Sequence, residues 1–188
     1  TIKKTALTGF SPVMARGIIA INVDDADALL AARVTNGSQE ILLATREGMA
    51  IRFKESDARP MGRYATGVRG ADLQEGDQII GMEACDPGSS ILTITENGYG
   101  KRSLLDDYRL IRRGGKGVIT IKTSERNGRV VSILLVTEAH DIMLITDRAR
   151  LRGRGLQEAI SQAVEGGVNA VQLREKDLPA AELYDLAV

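Results

Sequence analysis

The chain has 188 residues, 43% of them hydrophobic and 27% charged, which is an ordinary composition for a folded domain. Its 25 Lys and Arg residues balance 25 Asp and Glu residues, so binding to nucleic acid must be argued from where the cations lie. A single cysteine excludes an internal disulfide, and two Phe, four Tyr and no Trp argue against base stacking on aromatic side chains.

The chain repeats itself at intervals of about 50 residues. Gly17, Gly67 and Gly117 each open an apolar run and each follow basic residues. Three further sets recur at this spacing. The first comprises 28–30, 78–80 and 129–131, and the second comprises 41–45, 91–95 and 142–146. The third consists of the turns at 46–48 and 96–98. Each unit contains about four short β-like runs, the period of a propeller-type blade. We therefore predict a mainly β fold of about three four-stranded, propeller-like blades over residues 1–146.

Two single residues complete this region. Cys85 lies in the apolar run 79–85, which predicts a buried core thiol. His140 stands in a polar turn with no second histidine, which predicts a surface position.

Cations are concentrated before the third repeat glycine. The loop alternates cations with glycines: Arg112, Arg113, Gly114, Gly115, Lys116 and Gly117. Glycine permits sharp turns and close approach, and the adjacent cations suit a phosphate chain. The alternative is a solvated basic turn between two strands. A P-loop is excluded, because Leu110 and Gly117 stand where that motif needs a glycine and a hydroxyl residue.

Other cations recur in phase with the repeat. Lys4, Arg52 and Arg102 occupy equivalent positions, and Lys3 and Lys101 stand beside two of them. Scattered cations would only keep a protein soluble, whereas cations at one blade position form a stripe along an edge. Such a stripe can follow the backbone of a bent duplex without reading bases.

Eight stretches of residues 1–146 match one known family: 1–4, 17–22, 51–53, 59–63, 67–70, 95–102, 108–109 and 113–117. On these stretches the chain resembles the C-terminal domain of DNA gyrase A. The resemblance implies a β-pinwheel that wraps duplex DNA on a basic rim and supports negative supercoiling. The family's signature box, Gln-Arg-Arg-Gly-Gly-Lys-Gly, is matched by 111–117, with Ile111 replacing the Gln.

This resemblance implies a binding function without catalysis. The implied DNA-binding residues are Arg112, Arg113, Lys116, Lys101, Arg102, Arg52, Lys3, Lys4, Arg16, Arg63 and Arg69, with loop glycines Gly114, Gly115 and Gly117. No catalytic residue, metal or cofactor is expected here, since Mg²⁺ and ATP serve the parent gyrase complex. The implied partners are double-stranded DNA, gyrase B and the rest of gyrase A.

The repeat fails after residue 146. Apolar residues at helical spacing predict a helix over 156–165, followed by a strand over 168–173. A second helix is predicted to open at Leu178-Pro179, with Ala180, Leu183, Tyr184 and Ala187 on its apolar face. With a strand at 142–147, this order is a βαβα unit. We therefore predict a separate α/β tail over residues 147–188.

The tail resembles the N-terminal part of thiamine-phosphate synthase, a TIM barrel. The matching residues are 144–148, 165–168 and 171–177. The resemblance implies that Gln172, Arg174 and Lys176 hold the diphosphate of a pyrimidine substrate; the alternative is an idle polar strand end. About a quarter of a barrel cannot close its sheet, so we expect no activity in thiamine biosynthesis from this piece.

Three interpretations stay open at this point: a DNA-wrapping part of gyrase, an enzyme fragment fused to a β module, and a chimera with neither activity. The string 144–147 fits both families, which is compatible with a natural fusion, an engineered chimera or a joining error. Three blades leave open sheet edges, which predicts an arc capped by the tail or self-association. With no apolar run of 18 residues and no signal peptide, we expect a cytoplasmic location without membrane contact.

Overall fold

The computed structural model describes residues 1–11, 14–151 and 153–185. The chain forms two compact units, Thr1–Thr137 and Glu138–Val188. The first unit is built from antiparallel β-sheets and the second from alternating strands and helices. The first unit ends before the predicted boundary at 146, because the strand near that boundary pairs within the second unit.

The first sheet consists of the four strands β1 Glu40–Thr45, β2 Met49–Lys54, β3 Ile79–Cys85 and β6 Val118–Ile119. They lie in the order β3-β1-β2-β6. Strand β1 lies between two neighbours and buries five consecutive residues from Ile41 to Thr45. This explains why its sequence is a continuous apolar run instead of an alternating one.

The second sheet repeats the first about 50 residues later. It consists of β4 Ser90–Thr95, β5 Gly100–Leu104 and β7 Val130–Val136, in the order β5-β4-β7. The register of β1 against β3 shifts between Ala44 and Thr45, and that of β4 against β7 shifts between Ile94 and Thr95. These two irregularities occupy equivalent positions, so the 50-residue period is confirmed in three dimensions.

The first repeat does not form a sheet of its own in the described part of the chain. It contributes two isolated bridges, Ile2 to Val68 and Lys4 to Pro60, which match the pairing of Ala50 with Val118 and the bridge from Arg52 to Leu110. The predicted strand at 28–30 is wrong, since Leu29 and Leu30 are exposed and irregular. Residues 28–30 correspond to the start of β7, which pairs with the central strand β4. None of the described residues supplies such a central strand for 28–30. The described part of the unit therefore has two sheets instead of about three.

Strand β6 crosses from its own repeat to the edge of β2 in the preceding one. A left-handed glycine precedes each such crossing: Gly117 has φ +78° and Gly67 has φ +98°. A Cβ on Gly117 would lie 2.1 Å from the carbonyl oxygen of Ala50, and one on Gly67 would lie 2.6 Å from that of Ile2. Both the backbone angle and the close approach therefore require glycine.

The core of the first unit contains a buried chain of hydroxyl groups. The Tyr108 hydroxyl lies 2.6 Å from Thr120 Oγ1, which lies 2.9 Å from Thr93 Oγ1. All three side chains are at most 2% exposed. Cys85 is fully buried, as predicted, and burial raises the pKa of its thiol to about 12. His140 lies at the surface, also as predicted.

The second unit has the predicted strand–helix–strand–helix order. Its elements are β8 Met143–Ile145, α1 Leu156–Glu165, β9 Ala170–Gln172 and α2 Ala180–Asp185. Strands β8 and β9 pair in parallel, so the assignment of 142–146 to the 50-residue repeat is wrong. Ala187, predicted on the second helix, lies outside the described residues. No helix in the described ranges is long and apolar enough to cross a membrane.

Replacing Gly117 by Ala should destabilise the first unit more than replacing Gly76 by Ala. Both glycines have φ +78°, but of the two only Gly117 has a described backbone atom within 4 Å of its Cβ position. The left-handed conformation alone costs an alanine about 1–2 kcal/mol, and the contact with the Ala50 carbonyl adds to it. Urea unfolding of both variants measures the difference, and equal losses would contradict the crossing geometry.

Replacing Thr120 by Val should cost more stability than replacing Tyr108 by Phe. The first change removes the shared partner of two buried hydroxyls, each of which costs about 1–3 kcal/mol when unpaired. The second leaves Thr93 and Thr120 bonded to each other and should cost about 1 kcal/mol. Thermal unfolding of the two variants provides the comparison; a larger loss from Tyr108→Phe would argue against the chain of hydroxyls.

Candidate nucleic-acid interface

Backbone contacts fix the basic loop 112–117 to the preceding repeat. The Gly114 N–H donates to Gly70 O at 2.8 Å, and Gly115 O accepts from the Asp72 N–H at 2.9 Å. At the start of the loop the Ile111 N–H donates to Arg52 O at 3.0 Å. The loop therefore has a defined conformation, but the Gly114 N–H is already used and is not available to an anion.

Arg113 holds the loop in place. Its guanidinium is half-buried and donates to Asp57 O at 3.2 Å and to Arg69 O. Arg63, one period earlier, donates in the same way to Ile19 O at 2.8 Å. Both arginines thus tie a loop to the backbone of the repeat before it, which assigns them a structural contact that the sequence did not predict.

The cations on the outside of the loop are Arg112 and Lys116. Both are exposed, and neither has an ion-pair partner among the described residues. Arg69 is brought beside them by the contacts of Arg113 and Gly114 with 69–70. It is exposed and pairs with Asp72, and an exposed pair of this kind contributes little and can exchange partners. We refer to Arg69, Arg112 and Lys116 as the loop cluster.

Three further predicted cations are exposed. Lys101 and Arg102 lie on β5, and Lys101 Nζ donates to Thr120 O at 3.2 Å, immediately after β6. Arg16 is equivalent to Lys116, one hundred residues earlier, and is also exposed. Described contacts do not bring Arg16 to the loop cluster, so Arg16 forms a separate surface position.

The periodicity predicts that Arg52 and Lys4 are exposed along an edge, but both make ion pairs inside the unit. The Arg52 side chain is 11% exposed and pairs with Glu40 at 2.5 Å and Asp106 at 3.3 Å. It also donates to Leu105 O at 2.8 Å and Tyr108 O at 3.0 Å. Lys4, at the equivalent position, pairs with Glu55. Both cations fasten one repeat to the next.

Lys3 is half-buried and makes a comparable internal contact. Its ammonium donates to Ala20 O at 3.0 Å and to Arg63 O. Burial, followed by the nearby charge of Arg63, lowers its pKa. Lys3 and Lys101 occupy equivalent positions and bond equivalent carbonyls, at residues 20 and 120.

Sequence reasoning missed a buried carboxylate, Glu55, which is 2% exposed. It pairs with Lys4 and accepts hydrogen bonds from Thr35 Oγ1 and from the backbone N–H groups of Gly37 and Gln39, each at 3.2 Å. Burial raises the pKa of Glu55, but the hydrogen bonds and the charge of Lys4 outweigh it, and the net pKa lies below that of an ordinary glutamate.

Two other ion pairs join residues one period apart. Arg33 makes a bidentate pair with Glu83 at 3.0 and 3.1 Å, and Arg46 pairs with Glu96 at 3.2 Å. Opposite charges separated by 50 residues are visible in the sequence, so this signal could have found both.

In the second unit, the predicted diphosphate residues lie at the end of β9. Gln172, Arg174 and Lys176 are all exposed, and Glu175 between them is buried. The backbone N–H of Arg174 donates to Thr146 Oγ1 at 2.9 Å, which joins this segment to the end of β8. Exposed residues alternate with less exposed ones along 172–176, which agrees with Gln172, Arg174 and Lys176 lying on one face.

Comparison with known families gives two matches on different parts of the chain. The family described as "DNA gyrase C-terminal domain, beta-propeller" matches residues 1–36, 39–86 and 89–137. The chain belongs to this gyrase C-terminal domain family. A second family, described as "Thiamine monophosphate synthase", matches residues 142–188. The change of family coincides with the change from the first compact unit to the second.

Individual relatives agree with the gyrase assignment. The DNA gyrase A protein of Staphylococcus aureus strain MRSA252 is 47% identical over 148 residues, which is 78% of this chain and 17% of the relative. The same figures hold for strain COL. The chain therefore spans about a sixth of the length of these relatives.

Solved structures resemble the gyrase-like part in fold. The C-terminal domain of DNA topoisomerase IV aligns with a TM-score of 0.68 and 27% identity, over 73% of this chain and 43% of that one. The C-terminal domain of DNA gyrase A aligns with a TM-score of 0.61 and 29% identity, over 65% and 42%. These likenesses agree with the mainly β, pinwheel-type fold that the sequence predicts.

We refer to the first unit, Thr1–Thr137, as the gyrase-like unit. Replacing Glu55 by Gln should destabilise this unit most at neutral pH. Because the folded-state pKa lies below that of the unfolded chain, the ionised carboxylate contributes stability above the unfolded-state pKa and loses it as the pH falls through the folded-state pKa. The difference in unfolding free energy between wild type and Glu55→Gln should therefore shrink on acidification. Urea titrations at several pH values measure this difference, and a difference that grows as the pH falls would contradict the lowered pKa.

Proposed function

We propose that the gyrase-like unit binds and wraps duplex DNA through its phosphate backbone, without sequence preference. It would act as a non-catalytic part of a type II topoisomerase, within gyrase A, and support negative supercoiling in the cytoplasm. Its partners would be duplex DNA, gyrase B and the rest of gyrase A. The support is the family membership together with the exposed cations of the loop cluster.

The proposal rests on Arg112 and Lys116, which are exposed and have no ion-pair partner among the described residues. The loop between them is fixed by backbone hydrogen bonds and by the Arg113 contacts, so both cations project from a preformed support. Many other cations of the unit are neutralised internally, as Lys4, Arg33 and Arg52 are. An unpaired, positioned cation gains the most from a phosphate, because binding breaks no existing ion pair.

This proposal assigns no chemistry to the chain itself. No catalytic residue, metal or nucleotide is required for backbone binding, and the cleavage and ATP-dependent steps would belong to the rest of the gyrase complex. Arg113, Arg63, Arg52, Lys4 and Lys3 would act by holding the repeats in register. The DNA-contacting set would then be the loop cluster with Lys101, Arg102 and Arg16.

A second candidate rests on the tail. The match to thiamine monophosphate synthase over 142–188 and the exposed alternation of Gln172, Arg174 and Lys176 favour a relict diphosphate site. Two cations and an amide at this spacing suit an oxyanion. We assign this segment no turnover, since a two-stranded sheet does not enclose a substrate.

Replacing Arg112 and Lys116 together by Ala should weaken duplex binding and reduce its salt dependence. Each phosphate contact contributes about 0.9 to the slope of log K against log salt concentration, so the slope should fall by up to about 1.8. Fluorescence anisotropy with a labelled duplex at several salt concentrations measures both quantities. The stability of the variant should stay within about 0.5 kcal/mol of wild type, because no described residue pairs with either side chain.

The matched control removes two exposed cations from the tail, Arg150→Ala with Arg154→Ala. It makes the same change in net charge outside the gyrase-like unit, and we expect the wild-type slope. A slope that falls equally in both variants would show a general charge effect and contradict a defined interface. Wild-type binding no stronger than that of a neutral protein at low salt would defeat the proposal as a whole.

A further inference from the structure

Within the loop cluster, Arg69 differs from the other two cations because it is paired with a carboxylate. Its guanidinium donates to Asp72, three residues further along the chain, and to Ala71 O at 3.3 Å. Arg112 and Lys116 have no ion-pair partner among the described residues. A carboxylate and a phosphate bind a guanidinium through the same charge-assisted hydrogen bonds, so Asp72 occupies the group that a phosphate would use.

The backbone holds both members of this pair against the basic loop. Arg69 O accepts from the Arg113 guanidinium, and the Asp72 N–H donates to Gly115 O at 2.9 Å. The Cγ and Cδ atoms of Arg69 lie 4.0 Å from where a Cβ on Gly114 would stand. Because its backbone is bonded to the loop, Asp72 stays beside the loop cluster even when Arg69 changes partner.

Both side chains of the pair are open to solvent, with 64% of the Arg69 side chain and 34% of the Asp72 side chain exposed. An exposed pair contributes little to stability, so a phosphate can displace the carboxylate from the guanidinium. Apart from Arg69, no described residue donates a hydrogen bond to this carboxylate. A carboxylate that served to orient the arginine would itself be held by further hydrogen bonds or by burial, and Asp72 has neither.

The pair is not part of the architecture that the repeats share. One period earlier and one period later, the equivalent positions carry no arginine and no carboxylate: Ile19 with Asn22, and Ile119 with Lys122. The third repeat forms its crossing to the repeat before it with these other residues in place. The fold therefore does not require a carboxylate at position 72, and replacing it by its amide should leave the crossing intact.

We propose that Asp72 is an internal competitor of the DNA phosphate for Arg69 and lowers the affinity of the loop cluster for duplex DNA. This inference rests on the proposed function and adds an inhibitory contact to the same surface. With Asp72 ionised, Arg69 exchanges one anion for another when DNA binds, so binding gains little from it. With a neutral residue at position 72, Arg69 becomes a third cation available to the phosphate backbone, beside Arg112 and Lys116.

The experiment compares Asp72→Asn with wild type in the full 188-residue chain, by fluorescence anisotropy with a labelled duplex at several salt concentrations. The affinity at low salt should rise about fivefold, because binding no longer breaks an ion pair. The slope of log K against log salt concentration should steepen by about 0.9, which corresponds to one additional phosphate contact.

Glu75→Gln is the matched control. It makes the same change in net charge three residues away, and Glu75 is exposed without an ion-pair partner among the described residues. We expect its affinity to stay within about twofold of wild type, because solvent and salt screen a charge that pairs with no cation of the interface.

A double-mutant comparison tests whether the gain acts through Arg69. Adding Asp72→Asn to Arg69→Ala should raise the affinity by less than about twofold, since no guanidinium remains to draw a phosphate to this position. Binding of Asp72→Asn that is equal to or weaker than that of wild type, an equal gain in Glu75→Gln, or an equally large gain without Arg69 would each overturn the inference while duplex binding stands. If wild type and Asp72→Asn both bind no better than a neutral protein at low salt, the proposed function fails and this inference fails with it.

Discussion

The second and third repeats of the gyrase-like unit each pair a short segment with the repeat before them, and a left-handed glycine makes that transfer possible. At Gly117 the backbone turns so close to the Ala50 carbonyl that no side chain fits between them. The transfer closes the outer edge of β2, which would otherwise expose unpaired N–H and C=O groups. It also fixes the loop that precedes the crossing, because Gly114 and Arg113 bond the repeat before it. Sheet closure and placement of the cations therefore depend on the same turn.

Several of the repeating cations hold neighbouring repeats together instead of facing solvent. Arg52 bonds two carboxylates and two carbonyls, and its partners come from both sheets' repeats. Removing Arg52 or Glu40, the two mostly buried members, costs about 3–5 kcal/mol, because the charge that remains loses its partner. A cation that recurs with the repeat therefore indicates a contact between repeats as readily as it indicates a nucleic-acid-binding surface. Only the environment of each copy distinguishes the two roles.

The sequence predicted the glycine period, the mainly β class, the buried Cys85 and helix α1 with its bounds, since all of these depend on local pattern. It failed at 28–30, where β-like residues have no described strand to pair with, and at 142–146, where an apolar string fits either architecture. Strand formation depends on a distant partner, so composition alone could not decide these segments. For the same reason it could not separate the exposed Lys116 from the internal Arg52. Opposite charges one period apart, as in Arg33 and Glu83, are the signal that would have improved the site prediction.

The three copies of the basic loop are not equivalent, and this bears on how a duplex would meet the surface. Arg113 and Arg63 make the same backbone contact, so the loop's support is repeated. The outward positions are not: Gly62 and Thr66 stand where the later copy has Arg112 and Lys116. Of the second and third copies, only the third therefore carries exposed cations at these two positions, with Lys101 anchored near the strand that follows it; in the first copy the exposed Arg16 stands at the position of Lys116. If the unit binds DNA as proposed, the copies would hold the phosphate backbone unequally instead of forming a uniform stripe.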